Sequence, residues 1–248
     1  MQTLFAATLT LALTLFSGAA TANPQWSCHS DKQQAALLEL YTSQGCSSCP
    51  PADHWLSAIR DREDLWSRVV PVAWHVTYWD YLGWRDPFAD AANDRRQRQM
   101  AAAAGAQVYT PGIFLNRKEY RRWRRLPPGA STESRRDVGI LRASSEGNTV
   151  QVQFQPVDGL ALEAPRVEMA FLRSDRRTDV KAGENRGRQL RHDFVAGALS
   201  GARLERSEDG WVAKLAATPE AGSVAVALWV TDRQGNFLQA TGTWLAQP

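Results

Sequence analysis

Cysteine is scarce in this chain: its 248 residues carry three, Cys28, Cys46 and Cys49. So low and odd a count excludes a fold stapled by several disulfides, leaving an apolar core to hold the protein together. Lysine is scarce too, since the 29 basic residues include only Lys32, Lys118, Lys181 and Lys214. The net charge of +3 excludes the large basic excess that marks a nucleic-acid binder. Past the N-terminal stretch no segment approaches about 18 continuous apolar residues, so no transmembrane helix is expected in the mature chain. Repeats and low-complexity tracts are missing as well. What is present is 44% hydrophobic and 22% charged residues, enough to bury a sizeable core.

The first residues read as a targeting segment. Leu4 to Phe16 is apolar apart from threonines, Ser17-Gly18-Ala19 breaks the run, and Ala20-Thr21-Ala22 forms an Ala-x-Ala cleavage pattern. The leading Met1-Gln2-Thr3 carries no Lys or Arg. Residues 1–22 are therefore expected to be a cleaved signal peptide, and the mature protein periplasmic or secreted.

After an extended lead-in to Gln34, Ala36 to Tyr41 is a short apolar run suited to a buried strand. Helical spacing over Ala52 to Arg62 follows Cys46-Ser47-Ser48-Cys49-Pro50-Pro51, and Val69 to Tyr78 reads as a second buried strand. Asp86-Pro87 has the form of an N-cap, opening a helix that stops at Gly105. Two further strands, Ile113 to Asn116 and Glu119 to Trp123, and a last helix capped by Ser131 or Thr132 and reaching about Arg142 complete an order β-α-β-α-β-β-α. Beyond Gly147 the chain turns to short β-branched or alternating runs between turn residues, the texture of an antiparallel sandwich. The expected division is residues 23–145 and 146–248.

Cys46 and Cys49 stand at i and i+3, a separation of about 5–6 Å on a helix, which a disulfide can span. With Cys46 at the N-cap, orphan amides and the helix dipole favour its thiolate, making it the exposed nucleophile and Cys49 the more buried resolving thiol. A Cys-x-x-Cys also serves zinc ribbons, but a second ligand pair is missing; a structural or inert pair stays open. His75, on the second strand, can join Cys46 and Cys49 in holding Cu(I), or sit hydrogen-bonded in the core. Cys28 is left over as a free thiol, a route to a dimer, or an occasional partner of the pair.

A strand, Cys-x-x-Cys-Pro opening a helix, and Thr110-Pro111 just before a strand resemble the thioredoxin arrangement. More narrowly, Glu39 to Asp53 (ELYTSQGCSSCPPAD), His75 to Phe88 (HVTYWDYLGWRDPF), Tyr109-Thr110-Pro111 and Gly183 to Leu190 (GENRGRQL) resemble the secreted bacterial domain-of-unknown-function family 1223. The resemblance implies an α/β thioredoxin-like N-terminal domain, followed by the all-β, sandwich-like C-terminal domain read from the patterning. It also implies a cis Thr110–Pro111 bond packed on the disulfide, with Tyr109, Thr110 and Pro111 meeting the substrate, and Glu39 accepting a proton from Cys49. Asp80, Tyr78, Trp79, Tyr81 and Trp84 either line a substrate groove or cover the sheet. His29, His54 and His192 show no partner pattern, and the basic run Arg117 to Arg125 reads as a solvated hairpin. The function expected is thiol–disulfide exchange on protein or small-molecule thiols and disulfides. It needs no cofactor beyond the Cys46–Cys49 pair; a copper-binding module and a non-catalytic binding module are the rivals. The oligomeric state is not legible.

Overall fold

The computed structural model describes residues 25–125, 127 and 136–245. The expected signal peptide, residues 1–22, lies outside them, as do Ser131 and Thr132. Among the described residues strands dominate. They are β1 (Ser27–His29), β2 (Ala36–Thr42), β3 (Val69–His75), β4 (Gly112–Leu115), β5 (Lys118–Glu119), β6 (Gly139–Glu146), β7 (Thr149–Pro156) and β8 (Arg166–Arg173). The second half adds β9 (Arg176–Asp179), β10 (Gln189–His192), β11 (Val195–Arg203), β12 (Glu205–Ser207), β13 (Gly210–Ala216), β14 (Ala225–Thr231) and β15 (Phe237–Trp244). Only two α-helices are described, α1 (Pro50–Ser57) and α2 (Ala91–Ala104). Neither is long and apolar enough to cross a membrane.

The expected α/β thioredoxin-like domain with an all-β domain behind it is not what forms. The largest sheet has eight strands in the order β15-β14-β8-β11-β3-β2-β4-β5, so strands from both sides of residue 145 share it. The end of the last helix expected to reach about Arg142 is instead part of β6 from Gly139, which pairs with β1 of the lead-in and with β7. A strand in that position exchanges a helix's internal hydrogen bonds for partners far along the chain, which local patterning does not register. Of the strand expected over Glu119 to Trp123 only Glu119 is extended, in the two-residue β5, and a 3-10 turn at Arg121–Arg125 follows that buries Trp123.

The seam between the halves is narrow. β11 meets β3 through Val195 and Ala73, where the Ala73 amide donates to the Phe194 carbonyl at 2.8 Å. Packing widens it, because β14 and β8 are buried on both faces and feed two cores by simple alternation. Ala225, Ala227 and Trp229 join the core around β2, β3 and the helices. Val226, Leu228 and Val230 join a second core beneath the five-stranded sheet β1-β6-β7-β13-β12. The small Ala225, Ala227, Ala170 and Ala240 on the first side leave room for Trp74 and Trp229, whose rings meet edge-on at 6.3 Å.

β2 and β3 run parallel with Thr42 opposite His75. Alternation puts Thr42 and His75 on the face carrying α1, and Glu39, Tyr41 and Trp74 on the face carrying α2. Helix α2 is capped by Asp90, whose carboxylate accepts from the Ala92 amide, not by Asp86 as the Asp-Pro pattern suggested. It ends at Gly105 in the left-handed conformation, as expected.

Candidate functional site

The loop leaving the end of β2 carries Cys46, and α1 begins directly after Cys49. The two cysteines are joined by a disulfide with Cα atoms 5.4 Å apart. The N-cap is Cys49 rather than Cys46, and both cysteines are fully buried. The expected exposed Cys46 at the N-cap is thus corrected. Cys46 sits one turn earlier, where its carbonyl accepts from the Cys49 amide at 3.2 Å and its sulfur lies 3.3 Å from the Ser48 hydroxyl. Ser47 and Ser48 are the exposed surface of the motif.

The cover comes from the far half of the chain. Asn185, itself fully buried, donates from Nδ2 to the carbonyls of Gln44 and Cys46, both at 2.9 Å. Glu184 accepts from the Ser47 amide at 2.8 Å, which lowers the Glu184 carboxyl's pKa through that bond. Arg188 donates to the Asn185 side-chain oxygen at 2.9 Å. Gly183 and Gly187 bracket this strap with positive φ angles of 71° and 82°, which glycine adopts without strain.

A second loop lies at the same end of the sheet. The Thr110–Pro111 peptide is cis, as expected, and leads into β4, whose Gly112 lies opposite Tyr41 at the same end of the sheet. Trp79 ties this loop to the cysteines. Its indole donates to the Thr110 hydroxyl at 2.7 Å, while a Cβ placed on Gly45 would fall 2.9 Å from the Trp79 Cβ. Trp84 donates to the Gln44 side-chain oxygen at 3.0 Å, and Tyr78 donates to Gln97 at 3.0 Å. Of the aromatics after β3, Tyr81 remains prominently exposed. Tyr109 is partly exposed, donates its hydroxyl to Glu119 at 2.7 Å and accepts from Gln97 on its carbonyl.

Glu39 is fully buried and its Oε1 accepts from Arg96 and from the Trp74 indole, at 2.6 Å and 3.1 Å. That places it on the α2 face, opposite the one on which α1 begins. His75 is also fully buried and shares a 2.7 Å hydrogen bond with Asp86. Burial disfavours the charged imidazole, but the Asp86 charge and hydrogen bond outweigh it and raise the His75 pKa, with a further contribution from Asp53. Burial opposes ionisation of Asp86 as well, yet His75 and the Gln44 and Phe88 amides hold its carboxyl below the usual range. Among the described residues no group of three or more His, Cys, Asp or Glu is arranged to hold a metal ion. Cys28 lies in the second core, where burial pushes its thiol up to about 12, so it is a poor nucleophile at neutral pH.

A family model described as protein of unknown function (DUF1223) matches residues 37–231, a span that includes the cysteine pair, the cis-proline loop and the strap. The chain belongs to the DUF1223 family. An X-ray structure of a protein from Agrobacterium tumefaciens is similar at 25% identity, with a TM-score of 0.61, covering 87% of this chain and 98% of that one. HBP35 of Porphyromonas gingivalis is similar in fold, at 14% identity and a TM-score of 0.54, covering 87% of this chain and 77% of its own. No curated protein matches the chain.

In this DUF1223 chain the sequence reading missed Asp86, Glu184 and Asn185, and with them Asp53 and His192, which lie 3.6 Å apart on the α1 face. A signal existed for Asp53, which follows Cys49 by four residues and so shares its helix face. The Gly183 to Leu190 run marked the strap without a role for it. For His192, more than a hundred residues away in sequence, local pattern offered nothing.

Proposed function

We propose that this chain is an exported thiol–disulfide oxidoreductase acting on thiols or disulfides of proteins or small molecules, with Cys46 and Cys49 as the working pair. The observation that carries the reading is a disulfide that closes a loop over only two intervening residues at the mouth of α1. Cross-links stabilise mainly by restricting the unfolded chain, and so short a loop restricts it little. A structural staple is therefore a poor use of this pair, whereas exchange chemistry needs such neighbours. The Tyr109–Pro111 loop, tied to the cysteines through Trp79 and Gly45, supplies the adjoining surface for a substrate chain. Export is supported by the apolar Leu4 to Phe16 run and the Ala20-Thr21-Ala22 pattern.

In the oxidising direction a substrate thiolate attacks the Cys46 sulfur. The Cys46–Cys49 bond breaks, a substrate–Cys46 disulfide forms, and Cys49 leaves carrying the electron pair. A second substrate thiolate then displaces Cys46, so two thiols become one disulfide and the pair gains two electrons and two protons. The reducing direction is the reverse.

Equilibration in glutathione buffers of graded redox ratio, followed by acid trapping and mass measurement, tests this. A reversible two-electron transition confined to Cys46 and Cys49 and abolished by Cys46→Ser is expected. A pair that stays oxidised at every ratio would overturn the reading.

A further inference from the structure

Four buried ionisable side chains meet on the α1 face of the sheet, beside Cys49. Asp53 follows Cys49 by one helical turn, and its amide donates to the Cys49 carbonyl at 3.1 Å. Its Oδ2 accepts from the Thr42 hydroxyl at 3.1 Å, and its Oδ1 lies 3.6 Å from Nδ1 of His192. His192 is 2% exposed and packs edge-on against His75, with ring centroids 4.7 Å apart. Phe88 seals both imidazoles, at 5.3 Å from His75 and 6.0 Å from His192.

What separates this cluster from an ordinary buried network is its lack of satisfaction. Neither ring nitrogen of His192 has a hydrogen-bond partner, and Nε2 of His75 has none either. Buried polar groups are rarely left in that state, because each one costs its full desolvation. A surface groove lined by Asp53, Ser57, Arg188, Leu190, Arg191 and His192 runs between α1 and β10, so Asp53, one helical turn from Cys49, and His192 both border that groove.

Cys49 has no exposure of its own. When the disulfide opens, a thiolate appears inside a low-dielectric region, and when it closes a thiol must lose its proton there. Both steps need a proton carrier at hand. Residues four apart on a helix share a face with Cβ atoms about 5–6 Å apart, which makes Asp53 the acid on the Cys49 side of α1.

We propose that Asp53 and His192 form the proton-transfer pair of Cys49, exchanging its proton with water in the α1–β10 groove. The proposal rests on the thiol-exchange reading above. As the Cys46–Cys49 bond breaks, Cys49 takes the electron pair and then one proton from the Asp53–His192 pair, which is refilled from the groove. In the reverse step the Cys49 thiol gives that proton back and its sulfur attacks the Cys46 mixed disulfide, expelling the substrate thiolate. The titratable and charged groups around the pair are His75 on β3, Asp86 after it, His54 on α1, Asp61 in the turn that follows α1, Arg188 before β10 and Arg191 on it. Asp193, next in sequence to His192, is turned to Arg60 at 3.0 Å and does not compete.

The test is a single turnover of the protein carrying glutathione on Cys46, following release of glutathione as Cys49 attacks. For the wild type the rate should vary little from about pH 6 to about pH 8, because the carrier removes the proton internally. Asp53→Asn and His192→Gln should each slow release about 10²-fold near pH 6. Both should converge on the wild type as the pH nears the free thiol value of about 8.5. Asp53→Glu should restore the flat profile. Slowing by one constant factor at every pH would mark the two residues as structural and overturn the proposal, as would unchanged rates in either folded variant. Failure of the exchange reading looks different, since the wild type itself would release no glutathione.

Discussion

Two buried charge clusters lie back to back across strands β2 and β3, and they are built on opposite logic. On the α2 face Arg96 spends its guanidinium on Glu39 and Glu168, at 2.6 Å and 3.3 Å, and rests 4.8 Å and 5.2 Å from the ring centres of Trp74 and Trp229. The two indoles donate to the same carboxylates, Trp74 to Glu39 at 3.1 Å and Trp229 to Glu168 at 2.6 Å. These residues come from β2, β3, α2, β8 and β14, so the cluster ties together the two halves that the sheet joins at a single bridge. On the α1 face, Asp53, His192, His75 and Asp86 leave three imidazole nitrogens without hydrogen-bond partners, whereas among the residues bonded to Arg96 only Glu39 Oε2 is left so. A nearly closed network holds structure; an open one beside a disulfide retains the capacity to take and give protons.

The largest effect should come from breaking the closed network. Arg96→Met leaves the fully buried Glu39 without its cation, while the half-buried Glu168 keeps Arg117 at 3.4 Å, and removal of one partner from a buried pair costs about 3–5 kcal/mol. Denaturant unfolding should show that loss, while the redox midpoint of the pair in the surviving folded protein stays in place. A shifted midpoint would mean the two faces are coupled.

A smaller effect is expected at the strap. Asn185→Ala removes two hydrogen bonds to the Gln44 and Cys46 carbonyls, each worth about 0.5–1.5 kcal/mol. The loss of roughly 1–3 kcal/mol of closure should raise the rate of disulfide reduction by a small-molecule phosphine by about 5- to 150-fold. An unchanged rate would show that the strap does not control access.

The smallest effect lies in the pH dependence of stability. The His75 pKa is raised in the folded state, so its contribution is complete below its unfolded value of about 6.5 and fades as the pH climbs through the folded value. The Asp86 carboxyl is lowered, so its share is present above the usual carboxylate range of about 4 and is lost only in acid. Melting temperature should therefore fall on the alkaline side of neutrality, and His75→Asn should flatten that slope. A slope that survives the substitution would place the titration elsewhere.

Much of the first half was legible in the sequence because its signals are local. The Ala36 to Tyr41 run became β2, the Val69 run became β3, and Gly105 ended α2 as a left-handed cap. The cysteine spacing allowed the disulfide, and the resemblance to the family implied the cis Thr110–Pro111 bond. Asp86 was misread because an Asp-Pro pair looks like a cap, whereas its carboxylate is held by His75 and the Gln44 amide and Asp90 caps instead. The last helix failed because Gly139–Glu146 finds strand partners in β1 and β7.

The sequence by itself determined which cysteines pair, where the chain turns, and that a helix starts beside the pair, since these depend on residues within a few positions of one another. Only the tertiary structure decided that both sulfurs are covered and that Asp53, one turn beyond Cys49, meets His192. The bonds that do this span 139 residues from Asn185 to Cys46 and 137 from Glu184 to Ser47. His192 reaches Asp53 from a strand beyond the strap. Such contacts leave no periodicity in the chain; they exist because β10 and the strap are carried to α1 by a sheet whose strands are drawn from both halves.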